Sequence, residues 1–154
     1  EYVPRAQTRI GSGSVGTPTT VVHARELSQP AIMEGLRAGH VFIDVQGSRD
    51  RLLEFAARSG GTVAAMGDAV QVPAGGRLDL EIHVVRAAGG HVEVLADGKP
   101  LTPAAGLALN DPDQRLQLAW IGDGGRHWLR ANVYGADGKL WLVGNPVYVN
   151  PQRP

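Results

Sequence analysis

"LDLEIHV", residues 78–84, alternates without a break: Leu78, Leu80, Ile82 and Val84 fall on one side of an extended chain, and Asp79, Glu81 and His83 on the other. Successive side chains of a strand point to opposite faces, so this segment reads as a half-buried antiparallel strand. The same period recurs downstream. "HVEVLADGKPL" (91–101) carries Val92 and Val94 into an Asp97-Gly98 turn, a strong hairpin signal. Leu116, Leu118 and Trp120 mark a further strand, closed by "GDGG" at 122–125. "RHWLRANVY" (126–134) and "KLWLV" (139–143) are joined by "GADG", and "PVYV" (146–149) ends the series. Just upstream, "RLLEFAAR" (51–58) fits two states: Leu53, Phe55 and Ala57 alternate as in a strand, and a short helix suits the same residues. With 21 Gly and 10 Pro to supply turns, roughly seven short strands predict an immunoglobulin-like antiparallel β-sandwich over residues 51–154. The Cys–Trp–Cys signature of antibody domains is absent, because the chain contains no cysteine.

Working back from the sandwich, "VGTPTTVVHARELSQPAIMEGLRAGHVFIDV" (15–45) has a different pattern, of strand, capped helix and strand. Residues 1–16, with the Gly/Ser cluster "GSGSVG", lack periodicity and read as loop. "TTVVHA" (19–24) is short, β-branched and apolar enough for a buried strand. Ser28 is suited to the N-cap, Pro30 to the first turn and Gly39 to the left-handed position after the helix. Leu27 and Ile32 have the spacing of a hydrophobic staple, and Ile32, Met33 and Leu36 form the apolar stripe, with Glu34 and Arg37 facing away. "HVFIDV" (40–45) is the second strand. The change of pattern places a division at residue 50, with a terminal α/β segment at 1–50 ahead of the sandwich.

Fifteen basic and fifteen acidic residues give no net charge, so no electrostatic surface for nucleic acid or membrane is expected. Without cysteine there is no disulfide, thiolate metal site or cysteine nucleophile, and the compartment stays open. No run is long and apolar enough for a membrane span. Asp79, Glu81 and His83 project from one strand face, and His91 and Glu93 are expected on the neighbouring strand. Carboxylates and imidazoles so spaced can bind a divalent metal, although the outer face of an antiparallel sheet calls for the same residues. His23 lies in an apolar run, and His40 sits where it complements the helix dipole. Trp128, Arg130 and Asn132 share a strand face that suits a domain interface or a carbohydrate platform. No HExxH, GxSxG or P-loop occurs, and no convergent catalytic set can be assembled.

The 15–45 stretch, together with "GGRHWLRANVYGADGKLWLVGNPVYVN" (124–150), resembles the C-terminal part of metal-dependent hydrolases of the polymerase and histidinol phosphatase (PHP) superfamily. The carbaryl-hydrolase-like branch is the most similar: a "GTPTTVV" loop, a helix ending in "RAG", a "VFI" strand and a closing "NPIY"-like strand, matched here by Asn145, Pro146, Val147 and Tyr148. The resemblance implies that residues 1–50 are the last strand–helix–strand unit of a PHP β/α barrel. It implies a parent hydrolase or phosphoesterase using Zn, Mn or Fe ions, whose Asp-x-His and earlier ligands lie upstream of Glu1. None of those ligands is present, so no cofactor is expected in this chain. It further implies that Thr17, Thr19, His23, Arg37 and His40 lie near the barrel or line its pocket. The partner would be the catalytic barrel in cis, and an apolar patch on 15–45 left without that cover would invite homo-oligomerisation. A self-contained Ig-like module binding carbohydrate or protein through the Trp128/Arg130 face is the alternative.

Overall fold

Strict alternation becomes a sandwich because each strand has one apolar side to hide and needs an opposing sheet to hide it. In the computed structural model, which describes residues 17–152, two sheets do this. The chain order is β1 (Thr19–Val22), α1 (Gln29–Ala38), β2 (Val41–Asp44), β3 (Leu52–Ser59), β4 (Thr62–Ala65), β5 (Ala69–Val70), β6 (Arg77–Val85), β7 (His91–Ala96), β8 (Lys99–Pro100), β9 (Leu107–Ala108), β10 (Asp113–Ile121), β11 (His127–Tyr134), β12 (Leu140–Gly144) and β13 (Val147–Val149). A four-stranded sheet runs β10-β6-β3-β4. The nine-stranded sheet runs β1-β2-β12-β11-β13-β5, with β7 on the other side of β11 and β8 and β9 paired to β7. The loop expected at 1–16 lies outside the described residues.

The core lies between the sheets. Leu78, Leu80, Ile82 and Val84 of β6 are buried with Leu53, Phe55 and Ala57 of β3, and they face Val92, Val94, Leu129, Ala131, Val133 and Leu142 across the sandwich. The protein is mainly β and sandwich-like, as its alternation predicts. Residues 52–59 form a strand. Their pairing with β6 on one side and β4 on the other uses every second side chain inward, a burial no amphipathic helix would match there. β12 and β13 lie on the same side of β11 as one interrupted strand. Their register against β11 shifts across Asn145-Pro146, where proline has no N–H to give to a ladder.

The first strands continue the larger sheet: β1 pairs antiparallel with β2, and β2 with β12. Phe42 of β2 is buried in the sandwich core. β1 is not the buried strand expected of "TTVVHA". Among the described residues it pairs with one strand only, and Thr19 and Thr20 are exposed and Val21 and Val22 half-buried.

The helix ends follow the sequence reading. Ser28 Oγ accepts from the Ala31 N–H at 3.4 Å, and Gly39 is left-handed at φ 73°. The face that α1 presents to the protein does not follow it. Ala31 and Gly35 are buried, whereas Met33 and Leu36 are 39% and 42% exposed. Leu27 is 98% exposed, so there is no staple. The reason is distance: a Cβ on Gly35 would lie 2.6 Å from the His23 carbonyl oxygen and 2.8 Å from a Val22 methyl. The helix backbone sits directly on β1, and only small residues fit beneath it.

Candidate functional site

Cross-strand register builds a groove on the outer face of the four-stranded sheet. Ala56 of β3 faces Ala65 of β4, and these small side chains leave a floor between longer ones. Glu54, His83 and Arg115 form one row across β3, β6 and β10, and Ala56, Glu81 and Gln117 form the next. The cavity measures about 440 Å³, and His23 and His40 complete its lining. His40 is held there by Asp68, with Nε2 2.9 Å from Oδ1.

Most of the charged groups in the groove are already engaged. His83, only 12% exposed, has Nδ1 2.7 Å from Glu54 and Nε2 2.8 Å from Asp113, so both ring nitrogens are committed to carboxylates. Arg58 Nε donates to Glu81 at 2.9 Å. Arg115, beside His83 in the register, makes no ion pair among the described residues. Such a groove offers hydrogen bonds and one available guanidinium to a polar ligand. Glu54 and Asp113 share the single His83 ring, and Glu81 is paired with Arg58.

The candidate metal ligands separate. Asp79 takes Arg77 at 2.7 Å, Glu81 takes Arg58, and His83 takes Glu54 and Asp113. His91 is not on a strand next to β6: β7 belongs to the other sheet, where the imidazole stacks on Tyr134 at 5.5 Å. Among the described residues no three His, Asp or Glu side chains are grouped to hold a metal ion. Of the five residues expected near a barrel, His23 and His40 line the groove, whereas Thr17, Thr19 and Arg37 are exposed and outside it. The His23 ring tilts against Phe42, and its buried Nε2 has no hydrogen-bond partner.

Trp128, Arg130 and Asn132 do share one face, the outer side of β11. Trp128 and Arg130 are half-buried, with the guanidinium 5.3 Å from the Trp128 ring centre. Asn132 is 4% exposed, and its Oδ1 and the Arg130 Nε are buried without partners. Tyr148 of β13 lies directly opposite Trp128.

A third cluster was not foreseen. His127 Nδ1 lies 2.5 Å from Asp97 and Nε2 2.8 Å from Asp123, with Trp120 edge-on to the ring at 5.2 Å. Hydrogen bonds donated to Asp97 and then to Asp123 raise the His127 pKa above its usual value, against the opposing effect of partial burial. Partial burial pushes Asp97 up, but hydrogen bonds from His127 and from the Trp128 N–H outweigh it and bring the carboxyl below its usual range. Asp123 is lowered chiefly by its hydrogen bond to His127. Asp123 and His127 are four residues apart across a turn, a spacing visible in "GDGGRH". Asp97 is thirty residues away, and nothing in the sequence links it to them. This cluster ties the β7–β8 turn to the β10–β11 crossing between sheets. The chain matches no protein-family model and no curated protein.

Proposed function

We propose that this chain is a non-catalytic module of a PHP-type metal-dependent hydrolase or phosphoesterase. It docks on the catalytic barrel through α1 and sets its outer-sheet groove at the barrel's mouth. The observation that carries the reading is the orientation of α1. The helix is seated through Ala31 and Gly35, which leaves Met33 and Leu36 in solvent beside the fully exposed Leu27. Apolar side chains one turn apart on an outward helix face suit a partner surface. The groove supports the second half of the proposal, since His23 and His40, which flank α1, also line it. On the outer face Glu81 pairs with Arg58, Asp79 with Arg77, and Glu54 with His83. On this reading the divalent ions are held by the barrel.

Two measurements test the reading. The purified chain with Mn²⁺ or Zn²⁺ is expected to turn over neither phosphodiesters nor aryl esters, and turnover that survives repurification overturns it. The barrel encoded with this chain is expected to co-sediment with it, and the double variant Met33→Glu/Leu36→Glu to abolish that complex while leaving the far-UV spectrum unchanged. A self-contained binding module is the second reading. It is favoured by the outer face of β11, where the half-buried Trp128 and Arg130 lie together and the exposed Tyr148 is directly opposite Trp128. Specific retention of a glycan, lost on Trp128→Ala, would select it.

A further inference from the structure

β10 is the longest edge strand among the described residues. It terminates the four-stranded sheet, and among the described residues only β6 pairs with it. The Arg86 N–H donates to the Pro112 carbonyl at 2.6 Å and the Gly122 N–H to the Gly76 carbonyl at 2.9 Å, which fixes the phase of the ladder. Gln114, Leu116, Leu118 and Trp120 turn their backbone groups to β6. Asp113, Arg115, Gln117, Ala119 and Ile121 turn theirs outward, and all five are exposed. Natural edges are blunted by shortness, bulges, lysine or an inward charge. β10 is nine residues long with an unbroken register, has no lysine, and its only charges, Asp113 and Arg115, point away from the core. On its core side Leu116, Leu118 and Trp120 remain half-buried, whereas their neighbours on β6 are fully buried.

We propose that β10 is a homodimerisation edge: two copies pair β10 antiparallel about a two-fold axis at Gln117, merging their four-stranded sheets into one. This register satisfies every outward backbone group, because each outward residue then faces an outward residue of the second copy. It sets Leu116 against the second copy's Leu118 and so covers the half-buried core side. It also sets Arg115 against Ala119 and Asp113 against Ile121, so no charge meets its like. The absence of net charge removes long-range repulsion between copies. β10 and β4 are opposite edges of the sheet, and Asp68 just after β4 contacts His40 at the end of α1. Docking through α1 and pairing through β10 therefore use different edges of the molecule, and they meet only where Arg115 and Gln117 line the groove.

A single strand pair buries less than the roughly 800 Å² per partner of a standard interface, so the dimer is weak. Sedimentation from about 10 μM to about 1 mM is expected to show monomer passing to dimer, with the amides of Arg115, Gln117 and Ala119 gaining exchange protection in step. Gln117→Pro removes an N–H that β6 does not use, so it is expected to keep the monomer's fold and abolish the dimer. The cysteine-free background allows a register test. Gln117→Cys places two Cα atoms ~5.5 Å apart, within disulfide range. The Cα atoms of Ile121→Cys, eight residues out of phase, would be ~27 Å apart. Oxidation of Gln117→Cys is expected to give covalent dimer at least about tenfold faster than Ile121→Cys. Monomer throughout the concentration range, equal cross-linking rates, or protection of the outward amides already in dilute monomer (another segment covering the edge) each overturn the proposal.

Discussion

His127 is the residue whose chemistry has the clearest consequence for stability. Its pKa is raised in the folded protein, so its contribution is complete below the unfolded value and is lost as pH rises through the folded one. Asp97 and Asp123 are lowered, so theirs is present above the usual carboxylate value and is lost as pH falls through the folded values. The cluster is strongest between those limits. We expect His127→Gln to lower the melting temperature at mildly acidic pH and to lower it much less at alkaline pH, where the wild-type imidazole has lost its charge. A pH-independent difference in thermal scans would contradict this. Sequence patterning could not reveal the cluster, because pattern reading works over neighbours and Asp97 comes from a distant hairpin. The single-residue signals that were legible, Ser28 and Gly39, act on backbone groups within a few residues of themselves.

At the scale of elements, α1 and β1 show how far local rules reach. The cap positions of the helix followed from the sequence, and Ser28→Ala is expected to cost about 1 kcal/mol of stability in urea titration. Its buried face did not follow, because hydrophobic spacing assumes that a helix rests on its largest apolar side chains. Here it rests on Ala31 and Gly35, since β1 leaves no room for more. Gly35→Val is accordingly expected to destabilise the α1–β1 contact by about 1–3 kcal/mol, seen as loss of amide protection in β1 and α1 with β6 unaffected. Met33→Ala is expected to change stability by less than about 0.5 kcal/mol, although Met33 belongs to the helix's apolar stripe. The strand at 52–59 is the reverse case: its own residues left helix and strand open, and two neighbouring strands decided.

Across the whole molecule, stability resides in the facing interiors of β3, β6, β7 and β11. Leu80, fully buried at the centre of β6, is expected to cost about 2–5 kcal/mol when truncated to alanine, read as a lower urea midpoint for the entire sandwich. The end of the larger sheet at β1 has a single neighbouring strand among the described residues and few buried side chains, so it is expected to exchange its amides through local opening well before the core does. The sequence by itself determined the mainly β class, the strand faces, the hairpin at Asp97-Gly98 and the helix ends. Each depends on alternation, turn chemistry or capping within a short span. Only the tertiary structure decided that β1 and β2 extend the larger sheet, that His91 sits in a different sheet from His83, that α1 turns Met33 and Leu36 outward, and that Ala56 and Ala65 meet to open the groove. Those outcomes depend on which distant strands pair and how closely their backbones approach. Periodicity specifies the face a side chain takes but not the neighbour it meets there.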